Sequence, residues 1–152
     1  MSINGGLFTS ATAHWSTPVE LYEKLDNEFH FNDDPCPLHS ETDGLNRAWG
    51  ERTFMNPPYG RQIVYWLSKA YKESQLGKTI VCLIPSRTDT RWWHDYVMKA
   101  REIRFLRGRL KFGGSQNSAP FPSAVVVFLG DIDGQLIDEI EAIESDMKGE
   151  RP

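Results

Sequence analysis

The chain has few cysteines and histidines, and it has no long apolar run. It has two cysteines, Cys36 and Cys82, without Cys-x-x-Cys spacing, which disfavours zinc and disulfides and predicts a reducing compartment. The four histidines, at positions 14, 30, 39 and 94, are scattered and indicate no metal site. No apolar run approaches the ~18 residues of a membrane helix. Residues 1–13 lack a basic-then-apolar leader pattern, so a cytoplasmic location is expected.

What is present is the composition of an ordinary globular domain, with 39% hydrophobic and 25% charged residues. The net charge of −4 does not suggest a nucleic-acid partner, but the charges are unevenly distributed. Residues 87–111 contain eight basic and three acidic side chains, whereas residues 131–152 contain eight acidic and two basic ones. The middle of the chain is therefore a candidate basic patch, with a functionless solvated charge run as the alternative.

The hydrophobic pattern predicts strands that alternate with helices. Strands are expected at residues 29–33, 52–55, 79–84, 102–106 and 123–129. Helices are expected after a capping box of Thr17 and Glu20, on a face from Ile63 to Ser74, and after Thr90. This order favours a mostly parallel sheet, with the last two strands antiparallel because only a loop joins them.

Three regions are expected along the chain. Residues 1–14 form a flexible arm, residues 15–130 form the domain, and residues 131–152 carry an acidic amphipathic helix through Leu136, Ile140, Ile143 and Met147. This helix is expected to pack on the domain or on a partner.

The tetrapeptide Asn56-Pro57-Pro58-Tyr59 is the most informative motif, because it directly follows the predicted strand at residues 52–55. The Asn56 amide oxygen and the Pro57 carbonyl oxygen can both accept hydrogen bonds from an exocyclic NH2 group. The prolines stiffen the backbone, and Tyr59 offers a face on which a planar base can stack. Ligands bind at the carboxyl ends of strands in open α/β sheets. The alternative is a stiff turn without function.

The motifs, taken in order, resemble the phage-type DNA N6-adenine methyltransferase (Dam) family over about residues 14–130. The residues that carry the resemblance are Trp15-Ser16-Thr17-Pro18, Asp34-Pro35-Cys36, Trp49, Phe54-Met55-Asn56-Pro57-Pro58-Tyr59-Gly60, Leu83-Ile84-Pro85, Thr88-Asp89-Thr90-Arg91-Trp92-Trp93-His94, Gly108-Arg109-Leu110-Lys111-Phe112 and Ser123-Ala124-Val125-Val126-Val127-Phe128. The resemblance implies an α/β fold with a reduced Rossmann-like methyltransferase sheet, mostly parallel with a terminal antiparallel strand, and helices on both faces.

The resemblance also implies an activity and a set of site residues. The activity is S-adenosylmethionine-dependent methylation of adenine N6 in double-stranded DNA, after the base flips out of the helix. Asn56, Pro57, Pro58 and Tyr59 would form the catalytic loop. The implied cofactor-binding residues are Thr17, Pro18, Asp34, Pro35, Cys36 and Asp43. Asp43 could instead lie in a surface turn. The glycine-rich cofactor loop typical of the family is absent after the first predicted strand.

Contacts to DNA are expected from the basic patch and from the long loop at residues 107–122. The candidates are Arg87, Arg91, Trp92, Arg107, Arg109 and Lys111. Arg109 could instead have a structural role, and Trp93 is expected in the core.

The remaining expectations concern partners and location. No metal and no membrane contact are expected. The protein would be a monomer or a homodimer in a bacterial or phage-infected host cell.

Other functions remain open at this point. The substrate amine could instead be cytosine N4, an RNA adenine or a protein glutamine. From a different class, the chain could be a catalytically silent DNA-binding relative, but such a protein would have no need for a complete Asn-Pro-Pro-Tyr motif.

Overall fold

A computed structural model of the protein describes residues 15–37, 43–113, 116–130 and 142–147. The predicted arm at residues 1–14 and most of the acidic C-terminal segment lie outside the described residues. Within that segment, residues 142–147 are helical and exposed, including Ile143 and Met147. In the described parts of the chain, none of the helices is long and apolar enough to cross a bilayer.

The elements alternate largely as the sequence pattern predicts. They are α1 (Val19–Phe29), β1 (Arg52–Met55), α2 (Ile63–Ser74), β2 (Thr79–Pro85), α3 (Arg91–Asp95), β3 (Glu102–Phe105) and β4 (Ser123–Leu129). The predicted apolar face of α2 is confirmed, since Ile63, Trp66, Leu67 and Ala70 are buried. Thr90 caps α3 as expected, because its hydroxyl accepts from Trp93 N at 3.2 Å. This helix ends at Asp95, and a 3-10 turn at Val97–Lys99 follows.

The four strands form one sheet in the order β1-β2-β4-β3. β1 pairs with β2 in parallel, and β4 lies antiparallel between β2 and β3. On the far side of β1, Asp33 makes an isolated parallel bridge to Thr53. β1, β2 and β3 therefore run in one direction, and the last strand alone among the described strands runs against them.

The expectation of a mostly parallel sheet is not confirmed, because two of the three strand pairings are antiparallel. The chain returns from β3 to β4 through a loop, and β4 runs antiparallel to β3. It also enters between β3 and β2, which adds a second antiparallel ladder. The predicted antiparallel pairing of the last two strands is confirmed.

Helices cover both faces of the sheet, as expected. On one face, α2, Trp93 and Val97 pack on Met55, Ile80, Cys82, Ile84, Ala124, Val126 and Phe128. On the other face, Leu25 of α1 packs with Phe54, Val81, Leu83, Phe112, Phe121, Val125 and Val127. β2 and β4 are buried on both faces because they occupy the centre of the sheet.

The sequence-based description of the first helix and strand needs two corrections. The N-cap of α1 is Pro18, with no side-chain capping bond, so the predicted capping box does not form. The strand expected at residues 29–33 is reduced to the single bridge at Asp33, because Phe29 still belongs to α1 and His30 takes a left-handed conformation with φ 56°. Tyr22, Leu25 and Phe29 of this helix nevertheless pack inward, with Leu25 buried.

A short segment at residues 43–50 supports the turn that follows Asp33. Its 3-10 turn, Gly44–Asn46, places Gly44 so close to Pro35 that an added Cβ would lie 2.1 Å from the Pro35 carbonyl oxygen. The Trp49 indole donates to Gly44 O at 2.7 Å, and Trp49 N donates to the buried Glu73 carboxylate at 2.9 Å. The segment is therefore held between α2 and the Asp34-Pro35-Cys36 turn.

Candidate active site

Asn56 directly follows β1, and Asp34 directly follows the residue that bridges to β1 in parallel. Both residues therefore lie at the carboxyl edge of neighbouring parallel segments, where ligands bind in open α/β sheets. Pro57 and Pro58 are buried, which fixes the backbone between Asn56 and Tyr59.

The Asn56 side chain is held in a defined orientation by residues 15–17. Its amide nitrogen donates to the Trp15 carbonyl oxygen and, at 3.0 Å, to the Thr17 hydroxyl. A carbonyl oxygen can only accept, so the nitrogen must face Trp15, and the orientation of the amide follows. The Asn56 Oδ1 atom is shielded from solvent and has no hydrogen-bond partner among the described residues. A buried acceptor without a donor is energetically unfavourable, so this oxygen is suited to a donor that arrives with a ligand.

Tyr59 is anchored at its hydroxyl group and by its aromatic neighbours. The hydroxyl donates to the Leu83 carbonyl oxygen of β2 at 3.0 Å. The ring meets Phe121 and Phe112 edge to face, with centroids 5.6 and 6.1 Å apart. Burial raises the pKa of Tyr59 well above its usual value, so the side chain is an uncharged, fixed aromatic wall.

A first cavity of about 440 Å³ opens beside Asn56. Its wall is formed by Trp15, Ser16, Thr17, Val19, Tyr22, Glu23, Asp34, Cys36, Pro37, Phe54 and Asn56. The structure thus brings together Thr17, Asp34 and Cys36, three of the predicted cofactor-binding residues, with the predicted catalytic Asn56. Pro18 and Pro35 do not line it: Pro18 caps α1 and Pro35 is buried behind the turn.

Asp43 lies outside the first cavity. It is exposed and caps the 3-10 turn, with its carboxylate accepting from Leu45 N at 2.9 Å and from the Asn46 amide at 2.7 Å. This is the surface-turn alternative raised from the sequence, and the structure does not bring Asp43 to the predicted cofactor site.

The neighbouring carboxylates Asp33 and Asp34 have different environments. Asp33 accepts from both terminal nitrogens of Arg47, at 2.8 and 2.9 Å, and from Gly50 N, and the Arg47 guanidinium lowers its pKa. Asp34 faces the cavity, and burial raises its pKa, although Oδ1 accepts from Cys36 N at 3.1 Å. Asp33 is thus used to hold the turn, while Asp34 remains available to a cationic ligand.

Burial, with the nearby Asp34 carboxylate, raises the pKa of the Cys36 thiol to about 12. Cys36 is therefore neutral at physiological pH and contributes a wall to the cavity rather than a nucleophile. In residues 15–37, 43–113, 116–130 and 142–147, no group of His, Cys, Asp and Glu side chains is arranged to hold a metal ion.

A second cavity of about 580 Å³ lies on the Tyr59 side of the loop. It is lined by Trp15, Tyr59, Gly60, Arg61, Ile63, Val64, Pro85, Arg87, Trp92, Pro120 and Phe121. Of these, Tyr59 was predicted as a catalytic-loop residue, and Arg87 and Trp92 were predicted as DNA contacts. The Arg87 guanidinium lies over the Phe121 ring, 5.8 Å from its centroid. The other predicted DNA contacts, Arg91, Arg107, Arg109 and Lys111, are exposed and do not line this cavity.

Several lining residues were not assigned a role from the sequence, among them Trp15, Glu23, Arg61 and Phe121. A helical signal could have identified part of the first wall, since Val19, Tyr22 and Glu23 are spaced i, i+3 and i+4 on α1. Phe121 and Trp15 offer no such signal, because loops far apart in sequence bring them to the site.

The fold is an α/β domain with two adjoining cavities at the carboxyl edge of its sheet. Residues 7–132 match the protein family described as DNA N-6-adenine-methyltransferase (Dam), and the chain belongs to this family. It is 28% identical over 106 residues to the DNA N-6-adenine-methyltransferase of Haemophilus phage HP1 (strain HP1c1). The match covers 60% of this chain and 61% of that relative's length. The family resemblance inferred from the motifs is confirmed.

Proposed function

We propose that this protein transfers a methyl group from S-adenosylmethionine to N6 of an adenine in double-stranded DNA. The proposal is carried by the buried Asn56 Oδ1 atom, which has no hydrogen-bond partner in the part of the chain that the structure describes and lies on a loop that contacts both cavities. Asn56 lines the first cavity and Tyr59 lines the second, so a methyl donor in one and a base in the other would meet at this loop. Family membership supports the same reaction.

The residues of the first cavity fit the proposed methyl donor. A volume of about 440 Å³ lies within the ~300–1,000 Å³ range of small-molecule sites. Trp15, Val19 and Phe54 supply apolar walls, and Asp34 and Glu23 supply carboxylates for the donor's ammonium group or ribose hydroxyls. When bound, S-adenosylmethionine supplies a methyl group on a positively charged sulfur.

In the second cavity, Tyr59 is proposed to stack on an adenine that has flipped out of the duplex. Its hydroxyl bond to Leu83 O keeps the ring in place while the base enters. Arg87, and the neighbouring Arg61 that the sequence did not suggest, would contact phosphates beside the flipped nucleotide. The exposed Arg91, Arg107, Arg109 and Lys111 would extend this contact along the backbone.

The proposed reaction requires a correctly placed adenine amine and hydrogen-bond acceptors for it, and it requires no strong base. Asn56 Oδ1 and the Pro57 carbonyl oxygen would accept hydrogen bonds from the adenine NH2, which makes its nitrogen lone pair more available. Transfer would form a nitrogen–methyl bond and break the sulfur–methyl bond of the donor, which would leave a neutral thioether. The surplus proton on the amine then passes to water.

The direct test is transfer of a tritiated methyl group from S-adenosylmethionine to plasmid DNA, with nucleoside analysis of the product. We expect labelled N6-methyladenine from the wild type and none above background from Asn56→Ala. Asn27→Ala, an exposed asparagine on α1, is the matched control and should retain turnover. Labelled cytosine would refute the adenine assignment. Absence of label on DNA with intact cofactor binding would shift the substrate to RNA or protein, and absence of cofactor binding would favour a silent DNA-binding protein.

A further inference from the structure

Trp15 alone, among the residues that the structure describes, lines both cavities. It lies four residues before α1, at the start of the described chain. A ligand in either cavity would therefore touch the same side chain. This arrangement raises the question of whether the two sites act independently.

The Trp15 indole is packed into an aromatic cluster that reaches the second cavity. It contacts Phe121 edge to face at 5.3 Å and Phe112 at 5.2 Å between centroids. These two phenylalanines contact each other and both contact Tyr59. A closely packed cluster of this kind transmits a displacement instead of absorbing it.

The backbone of Trp15 and Ser16 is tied to the catalytic loop and to the long loop. The Trp15 carbonyl oxygen accepts from the Asn56 amide, and the Ser16 carbonyl oxygen accepts from Gly113 N at 2.8 Å. An added Cβ at Gly113 would lie only 2.8 Å from Ser16 Oγ, so the two segments are in close contact. A shift of residues 15–17 would thus move both Asn56 and the chain beside Phe112.

We propose that Trp15 is a positioning residue that couples cofactor binding to DNA binding. The inference rests on the proposed function, which assigns the cofactor to the first cavity and the base to the second. Cofactor contact fixes the indole, the indole fixes Phe112 and Phe121, and the wall that receives the base is then already ordered when DNA arrives. Because coupling between binding sites is reciprocal, DNA must tighten cofactor binding by the same factor.

The experiment measures the affinity for a DNA duplex with and without saturating S-adenosylhomocysteine, which cannot react. The reverse titration, of S-adenosylhomocysteine with and without DNA, gives the same ratio independently. In the wild type we expect DNA to bind at least about fivefold more tightly in the presence of S-adenosylhomocysteine. In Trp15→Ala the ratio should fall to about one, and in Trp15→Phe, which keeps a smaller ring, it should lie between the two.

Two control variants separate coupling from a merely structural role. Val19 lines the first cavity only, and Trp92 lines the second only. Val19→Ala should weaken S-adenosylhomocysteine binding, and Trp92→Ala should weaken DNA binding, while each keeps the wild-type ratio. A residue that only supports the fold would lower both affinities and leave their coupling unchanged.

A ratio of one in the wild type would overturn the inference, as would an unchanged ratio in Trp15→Ala. If Trp15→Ala is not folded, as judged by its melting transition, an unchanged ratio in Trp15→Phe would overturn it. These outcomes leave the proposed function standing, because both ligands still bind. A wild-type protein that binds neither S-adenosylhomocysteine nor DNA would instead refute the proposed function itself.

Discussion

Replacing Gly44 with alanine is expected to weaken cofactor binding although Gly44 does not line the first cavity. The new Cβ would lie 2.1 Å from the Pro35 carbonyl oxygen and 2.9 Å from Pro35 C and Cβ. Real Cβ contacts are essentially never under 3.0 Å, so the oxygen must move by about 0.9 Å in a close-packed region. The contacted atoms belong to the backbone and to a proline ring, so no side-chain rotation relieves the clash.

Pro35 immediately follows Asp34, so this displacement is carried to the carboxylate in the cavity. Binding sites require their groups to be held within about 0.5 Å of the productive geometry. Loss of one charge-assisted hydrogen bond to the ligand corresponds to about 1.5–3 kcal/mol, or roughly 10- to 150-fold in Kd. The overpacking itself should lower the free energy of unfolding by about 1–3 kcal/mol.

The assay is calorimetric titration of S-adenosylmethionine, with thermal unfolding measured on the same samples. Gly77→Ala is the matched control, because Gly77 has φ +91° and an added Cβ there meets nothing within 4 Å. This control should lose about 1–2 kcal/mol of stability through left-handed strain but keep its cofactor affinity. Equal cofactor affinity in Gly44→Ala and Gly77→Ala would refute the reasoning that Gly44 supports the Asp34 turn.

Three further predictions concern the contacts around the site. Thr17→Val removes the hydroxyl that accepts from Asn56 and should lower kcat by about 2- to 10-fold in the methyl-transfer assay, the equivalent of one neutral hydrogen bond. Asp33→Asn should reduce stability at neutral pH. Arg47 lowers the pKa of Asp33 in the folded protein, so the ion pair stabilises the fold at pH values above the unfolded-state pKa near 3.9. The stabilisation is lost as pH falls through the folded-state pKa, so the free energies of unfolding of the wild type and Asp33→Asn should converge in acid. Tyr59→Phe keeps the ring and should retain most turnover at a stability loss of about 0.5–1.5 kcal/mol, whereas Tyr59→Ala should abolish turnover.

Each of these three predictions has a control variant and a result that would contradict it. Thr17→Ser retains an acceptor and should restore kcat, and an equal loss in both variants would contradict the positioning of Asn56. Asp43→Asn, in an exposed turn, controls for the aspartate change, and a stability difference that persists in acid would contradict the assignment at Asp33. If Tyr59→Phe is as inactive as the alanine variant, the hydroxyl rather than the aromatic face is required.

Local patterns in the sequence were sufficient for most elements and for the position of the loop at residues 56–59. β2 and β4 were predicted from unbroken apolar or β-branched runs, and α2 from a helical apolar stripe, because each signal lies within one segment. The placement of Asn56 after a strand followed from the same kind of evidence. The strand expected at residues 29–33 failed because alternation over five residues cannot show that α1 still includes Phe29.

The candidate site residues also divide into those that local patterns predicted and those that they did not. Asp34 and Asn56 were predicted because each directly follows an extended segment, and the structure brings both to the first cavity. The structural role of Asp33 was not predicted, since it depends on Arg47, which is 14 residues away. Asp43 looked equally acidic in the sequence, but its oxygens are used within its own turn.

The order of the elements, the motifs that mark the family, and the loop at residues 56–59 can be read from local sequence patterns. The entry of β4 between β2 and β3, the contact of Gly44 with Pro35, and the position of Trp15 between two cavities follow from the folded arrangement alone. The Asn56 amide meets Trp15 and Thr17 across 41 and 39 positions of chain. Periodicity and capping are local properties, whereas these contacts depend on how distant segments pack together, and that packing creates the adjoining cavities.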